Sequence, residues 1–217
     1  MSNRIQYDRQ NTKINQTITN LLTNVKQEFA VAPGAKKYVK FVKLFMKLLN
    51  DVDHDAQQLP RTIIYTSSNE QAKSLCCYLN TKLKLPALAV NPDITDKQLE
   101  EVFSKCQNKE LPILIFKSRI FDWIISDIDL VINYTLPTDI VEYCRRLDCI
   151  IHKKCITIVS TDADRLLLQQ IKNIIEINGG NPPESLKAVF TFYEGNFEEY
   201  LRDFKTVDSW IDLLDED

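Results

Sequence analysis

Apolar positions along the chain follow two alternating rhythms. Short β-branched and aromatic runs occur at Phe29–Pro33, Arg61–Thr66, Ala87–Val90, Leu111–Phe116, Asp127–Pro137 and Cys155–Ser160. Runs so short and so continuously apolar predict strands buried on both faces, as in a parallel sheet with helical crossovers. Between them, apolar residues recur at helical spacing. Helix 12–26 carries Ile14, Ile18, Leu21, Leu22 and Val25 on one face, and helix 35–49 carries Val39, Val42, Phe45, Met46 and Leu49. Ser68-x-x-Gln71 opens a helix with Ala72, Leu75, Cys76 and Leu79 inward, and Thr95-x-x-Gln98 opens one with Leu99, Val102, Phe103 and Cys106 inward. Thr138–Leu147 predicts a further helix. Another runs from Thr161 to about Ile177, where Gly179-Gly180 and Pro182-Pro183 stop it.

The expected fold is α/β, with a parallel sheet of about six strands and helices on both faces. An amphipathic helix precedes it and an aromatic extension follows. The expected organisation is a polar N-terminal segment over 1–27, a domain over 28–178 and the extension over 179–217. In the extension Tyr193, Phe197, Tyr200 and Phe204 lie on one helical stripe, and the chain ends in acidic Asp212–Asp217. The leader helix either packs on the domain or docks a partner.

Composition narrows the function classes. The 217 residues carry a formal charge of -3, with 44% apolar and 26% charged residues. No apolar run approaches the roughly 20 residues that span a bilayer, and the start Met1-Ser-Asn-Arg-Ile-Gln lacks a basic-then-apolar signal pattern. The expectation is a cytosolic or nuclear protein, off the membrane, with its six cysteines reduced. A pI near 5.5 gives no overall nucleic-acid signature. Lys36, Lys40, Lys43 and Lys47 form a basic stripe that is either a solvated face or a surface for RNA or an acidic partner. The only glycines are Gly34, Gly179, Gly180 and Gly195, so no phosphate-cradling loop can be built and the chain alone is not a P-loop ATPase. Cys144, Cys149, His152 and Cys155 do not follow a zinc spacing and read as ordinary cysteines, and no metal or cofactor is expected.

Asp127-Ile-Asp-Leu-Val-Ile-Asn-Tyr-Thr-Leu-Pro137 resembles the D-x-D-x-V-I-N-Y-x-x-P segment in the second RecA-like domain of DEAD-box RNA helicases. The order of strands and helices from Phe29 to Ile177 is similar to that domain. The resemblance implies a RecA-like fold and a setting in RNA biology. Where that family has H-R-I-G-R-T-G-R, this chain reads Arg145-Arg146-Leu147-Asp148-Cys149-Ile150-Ile151-His152, keeping one arginine as Arg146 and placing Cys149 at the next. The family's A-T-D…A-R-G-x-D turn is replaced by Phe116–Ile124, with Lys117 and Ser118 at the threonine and aspartate, and its Q-x-x-R by Asp96–Leu99. A thiol cannot replace a guanidinium at a transferring phosphate, where an arginine is worth about 10³–10⁵ in rate. The expectation is a domain with no catalytic residues. It would act as a homo-oligomeric or partner-binding scaffold, anchored through Phe121, Trp123, Tyr193, Phe197, Tyr200 and Phe204. Two alternatives stay open. One is weak single-stranded RNA binding through Lys117, Arg119, Arg145, Arg146, Lys153 and Lys154, expected at the C-terminal edge of the sheet. The other is an ATPase half completed by another domain through Arg146. A degenerate helicase C-terminal domain in this position is also similar to that of the insect Yb-type Tudor proteins, which implies a cytoplasmic RNA-granule scaffold of the piRNA pathway.

Overall fold

The computed structural model describes residues 17–32, 36–50, 59–91, 93–117, 127–150, 153–159 and 165–193. Helix α1 (17–24) leads into β1 (Lys26–Val31) and α2 (Lys37–Asn50). Next come β2 (Thr62–Tyr65), α3 (Asn69–Thr81), β3 (Ala87–Ala89), α4 (Asp96–Gln107) and β4 (Ile113–Phe116). The chain continues through β5 (Leu130–Asn133), α5 (Ile140–Leu147), β6 (Lys154–Val159), α6 (Arg165–Ile177) and α7 (Glu184–Tyr193).

All described strands are parallel, in the order β1-β6-β5-β2-β4-β3. Side chains alternate across the sheet, as period two requires. Ile63, Tyr65, Leu114, Val131, Cys155 and Val159 face a core closed by α1, α4, α5, α6 and α7. Ile64, Ile113, Ile115, Ile132, Ile156 and Ile158 face the core under α2 and α3. The uninterrupted aliphatic runs follow from this burial on both faces.

Several boundaries move from their sequence positions. β1 begins at Lys26, inside the segment read as leader helix, because α1 stops at 24 and Gln27 is pulled into the core. α2 is rotated, with Phe41 and Phe45 buried against the sheet and Met46 38% exposed. Phe45 is buried as expected, and Phe41, stacked on it at 5.6 Å, fills the space that Met46 was expected to take. α7 lies beyond residue 178 yet buries Leu186, Val189 and Phe190 in the same core, so the domain extends further than its sequence boundary. Tyr193 ends α7; Phe197, Tyr200 and Phe204 lie outside the described residues, as do Arg119, Phe121 and Trp123. None of the described helices is long and apolar enough to cross a membrane.

Both rims of the sheet are covered. At β3 the Asn80 amide donates to the Ala87 carbonyl (2.8 Å) and accepts from the Ala87 N–H (3.2 Å). At β1 the Phe29 N–H donates to Ser185 Oγ on α7 (3.0 Å).

Helix ends show how few glycines are available. Thr95 and Gln98 form a full capping box on α4. Ser68 accepts from Gln71 N, but the Gln71 side chain turns to Ser67 instead, so this box is half made. After α3 and α4 the left-handed positions are held by Lys84 (φ 55) and Lys109 (φ 62). The Leu111 N–H reaches back to the Lys105 carbonyl (3.2 Å) across Lys109, the position glycine normally fills. Lys109→Gly is therefore expected to raise stability by about 0.5–1 kcal/mol, the relief of a left-handed side chain less the added entropy of the unfolded chain. A urea midpoint unchanged or lowered in this variant would refute the assignment.

Candidate functional site

In an open parallel sheet the natural ligand crevice lies beyond the strand C-termini, where neighbouring strands send their connections opposite ways. Here β2 leads toward β3 and β5 leads toward β6, so the crevice opens between Tyr65-Thr66 and Asn133-Tyr134-Thr135. Its floor is unusual in holding a buried guanidinium.

Arg146, in the last turn of α5, is 4% exposed. Its Nη1 donates to Asn133 Oδ1 (3.0 Å) and the Thr135 carbonyl (2.9 Å), and its Nε to Glu142 Oε1 (3.2 Å). The guanidinium carbon sits 4.5 Å from the centroid of the Tyr65 ring. Burial lowers its pKa and Tyr65 and Glu142 oppose the shift, leaving the group protonated because arginine titrates so high. The network continues inward. Asn133 Nδ2 donates to Thr157 Oγ1 (3.2 Å), Thr157 lies 3.5 Å from the Tyr143 hydroxyl, and that hydroxyl donates to Gln27 Oε1 (2.8 Å). Gln27 Nε2 closes the chain on the Leu22 carbonyl (2.5 Å). One polar thread thus runs from α1 through β1, α5, β6 and β5 to the crevice, and no buried side-chain nitrogen or oxygen among the described residues is left unpaired.

The rim carries a second, wetter cluster. Gln71 Oε1 accepts from the Ser67 N–H (3.0 Å), the Ser67 hydroxyl (3.1 Å) and the Thr135 hydroxyl (3.1 Å). Lys37 Nζ reaches Thr135 Oγ1 at 3.5 Å and lies 4.9 Å from the Tyr134 ring centroid. Gln71, Tyr65 and Thr135 were not singled out as site residues from sequence; only the Ser68-x-x-Gln71 spacing drew attention to one of them.

Of the described cations expected along this edge, Lys153 and Lys154 lie elsewhere. Lys117 follows β4 at the C-terminal edge and is exposed. Arg145 is exposed on α5, whereas its neighbour Arg146 is turned inward. Lys153 and Lys154 stand at the start of β6, hence at the opposite, N-terminal edge. There Lys154 pairs with Glu28 (2.8 Å) and Lys153 with Asp129 (3.2 Å). Strand polarity is the reason: residues that precede a parallel strand cannot share an edge with residues that follow one.

Asp129 anchors that far edge. Arg61 meets it bidentately, Nε to Oδ2 at 2.9 Å and Nη2 to Oδ1 at 3.0 Å, while the Arg61 N–H donates to Oδ2 at 3.0 Å. Burial alone would raise the Asp129 pKa, but the hydrogen bonds from Arg61 and Lys153 push it down to about 2. A depressed carboxylate contributes stability above its unfolded pKa and loses it as pH falls toward the folded value. Wild type should lose roughly 1–2 kcal/mol between pH 5 and pH 2 that Asp129→Asn does not, allowing for solvent screening at this partly exposed site. Parallel acid titrations of both proteins in urea measure the gap; curves of equal slope would exclude the clamp.

Cys106, Cys144 and Cys155 are buried, whereas Cys77 is exposed. Burial pushes Cys144 and Cys155 up to about 12, and Cys149 Sγ donates to the Arg146 carbonyl at 3.4 Å. Among the described residues no three His, Cys, Asp or Glu side chains converge as a metal site.

No family model matches the sequence. Among solved structures, the RNA helicase Prp28 from Chaetomium thermophilum bound to ADP superposes with a TM-score of 0.61 at 18% identity. That match covers 75% of this chain and 39% of the Prp28 chain, so this chain spans about two fifths of that helicase. The C-terminal domain of the DEAD-box protein Dbp5 gives 0.56 at 17% identity, covering 70% of this chain and 85% of that domain. Domain 2 of the DEAD-box helicase Mss116p, bound to an RNA duplex, gives 0.57 at 15% identity over 68% of this chain and 59% of that one. Strand order and helix layers agree with these neighbours, and the chain shares the RecA-like α/β fold seen in the C-terminal domains of DEAD-box helicases.

Proposed function

We propose that this domain is a non-catalytic scaffold in an RNA-processing ribonucleoprotein, holding copies of itself or a partner protein rather than driving ATP hydrolysis. The supporting observation is the engagement of Arg146. The one arginine kept from the family's pattern is bonded to Asn133, Thr135 and Glu142 and stacked on Tyr65, beneath the crevice instead of projecting from it. An arginine finger stabilises charge that develops on a phosphate only if it can reach that phosphate. Cys149 stands at the next family arginine, and a thiol cannot make a guanidinium's contacts at a phosphate. A cytoplasmic RNA granule, including one of the piRNA pathway, is the proposed setting.

Sedimentation of wild type beside Phe121→Ala/Trp123→Ala, with and without RNA, tests the scaffold. Wild type is expected to self-associate or to co-sediment with a partner, and the double variant to lose this. A strict monomer at high concentration that captures no partner would discard the reading. Turnover of ATP by this domain, alone or with a helicase N-terminal domain, would discard its non-catalytic part. The second reading, RNA backbone binding, rests on exposed Lys117 at the crevice edge. It requires anisotropy with single-stranded RNA to rise at low salt and vanish at high salt.

A further inference from the structure

Helix α6 turns one apolar face to the core and leaves aliphatic side chains on the other. Leu167, Leu168, Ile171 and Ile175 are buried, whereas Leu166 is 79% exposed and Ile177 83%. Gln170 and Asn173 are exposed between those two. A single exposed aliphatic residue is ordinary, but these four have an order. They fall at steps of four, three and four residues, the spacing of a coiled-coil seam. Leu166 and Asn173 then take d positions, and Gln170 and Ile177 take a positions. The result is one straight stripe, about 16 Å long, on the side of α6 away from the core. It reads alike from both ends: aliphatic, amide, amide, aliphatic.

We propose that α6 pairs with α6 of a second copy, antiparallel, along this stripe. The proposal rests on the scaffold reading and names one surface for it. Three observations select a second copy as the occupant. First, a two-fold contact requires each residue to suit its opposite in both directions, and the palindrome provides this. Reversing the helix exchanges a and d positions, which sets Leu166 of one copy on Ile177 of the other and Gln170 on Asn173. Second, the amides fix the register. Gln169 Nε2 donates to Asn173 Oδ1 (2.8 Å), and the Asn173 Nδ2 has no acceptor among the described residues. The side-chain carbonyl of Gln170 in the other copy supplies one. A slip of one heptad sets an aliphatic end on an amide, so the polar pair specifies the alignment. Third, the flank carries no clash of like charge. Glu176 falls beside Gln169 of the other copy, and Lys172 pairs with Glu176 in its own helix (3.7 Å). So short a stripe buries less than the roughly 800 Å² per partner of a standard interface. It therefore orients copies that the aromatic anchors also hold, and it comes apart readily.

Both aliphatic ends stand clear of the core, so they can be changed without disturbing the fold. L166E and I177K are made in the full chain, with circular dichroism and urea midpoints as the check on folding. Each alone is expected to weaken self-association by about tenfold or more in sedimentation equilibrium, because both ends of the pair then set a charge on an aliphatic side chain. An equimolar mixture of the two is expected to return to within about threefold of wild type, since one end gains an ion pair and the other keeps its Leu166–Ile177 contact. A parallel pair cannot recover in this way, because each new charge would meet an unchanged aliphatic residue. A mixture no tighter than either variant would overturn the proposal. Variants that associate as tightly as wild type would also overturn it, while leaving the scaffold reading to another surface. A wild type that stays monomeric at high concentration would sink the pairing too, and the scaffold reading would then stand or fall on partner capture.

Discussion

Arg146→Ala should unfold in urea with about 3–5 kcal/mol less stability than wild type, the usual cost of removing one member of a buried charged network. The substitution strands the Asn133 side-chain oxygen and the Thr135 carbonyl, removes the cation from the Tyr65 face and leaves Glu142 without its i+4 partner. Glu142 is 20% exposed and can recover some hydration, so the lower end of the range is expected. Arg146→Lys should recover little, because one ammonium cannot serve acceptors on three sides while stacking on a ring. The same pair of variants decides what the arginine is for. If it braces the fold, ATP leaves the melting temperature of wild type unmoved. If it reaches a nucleotide, ATP raises the wild-type midpoint by mass action and Arg146→Ala abolishes the rise. That second outcome would end the non-catalytic reading.

Leu22→Ala should be almost as costly, about 2–5 kcal/mol. Leu22 is 2% exposed in a helix that precedes the sheet, and such leader helices are often dispensable. Here it packs with Leu21 and Val25 into the same core as α5, α6 and α7, and its carbonyl terminates the polar thread through Gln27 and Tyr143. Chemical denaturation should show a single transition moved to lower urea. An unchanged midpoint would mean that α1 is peripheral and that Gln27 is satisfied in some other way.

Much of this architecture is readable in the sequence because period and burial are tightly coupled in a parallel sheet. Ile63-Ile64 and Leu130–Ile132 have no polar face to offer and can only be central strands. What escaped reading was direction. Lys153 and Lys154 adjoin the family-like segment in sequence, but their place at the N-terminal edge follows from where β6 starts, and a one-dimensional pattern blurs that point. The burial of Arg146 was equally hidden, since an arginine between Arg145 and Leu147 reads as surface until the α5 face is fixed by Tyr143 and Leu147. The rotation of α2 shows the same limit. Of the expected inward residues, Phe45 is buried and Val42 and Leu49 pack on the same core, but Phe41 takes the place expected for Met46, and the deciding factor is which ring fills the space beneath Tyr134.

The two covered rims constrain how copies can meet. With Asn80 imitating a neighbouring strand at Ala87 and Ser185 occupying the Phe29 main-chain donor, an incoming peptide finds these rungs of the ladder already taken. A copy meeting the domain at those two rungs would have to recognise side chains, a contact that can be reversed, where templated cross-β growth generally cannot.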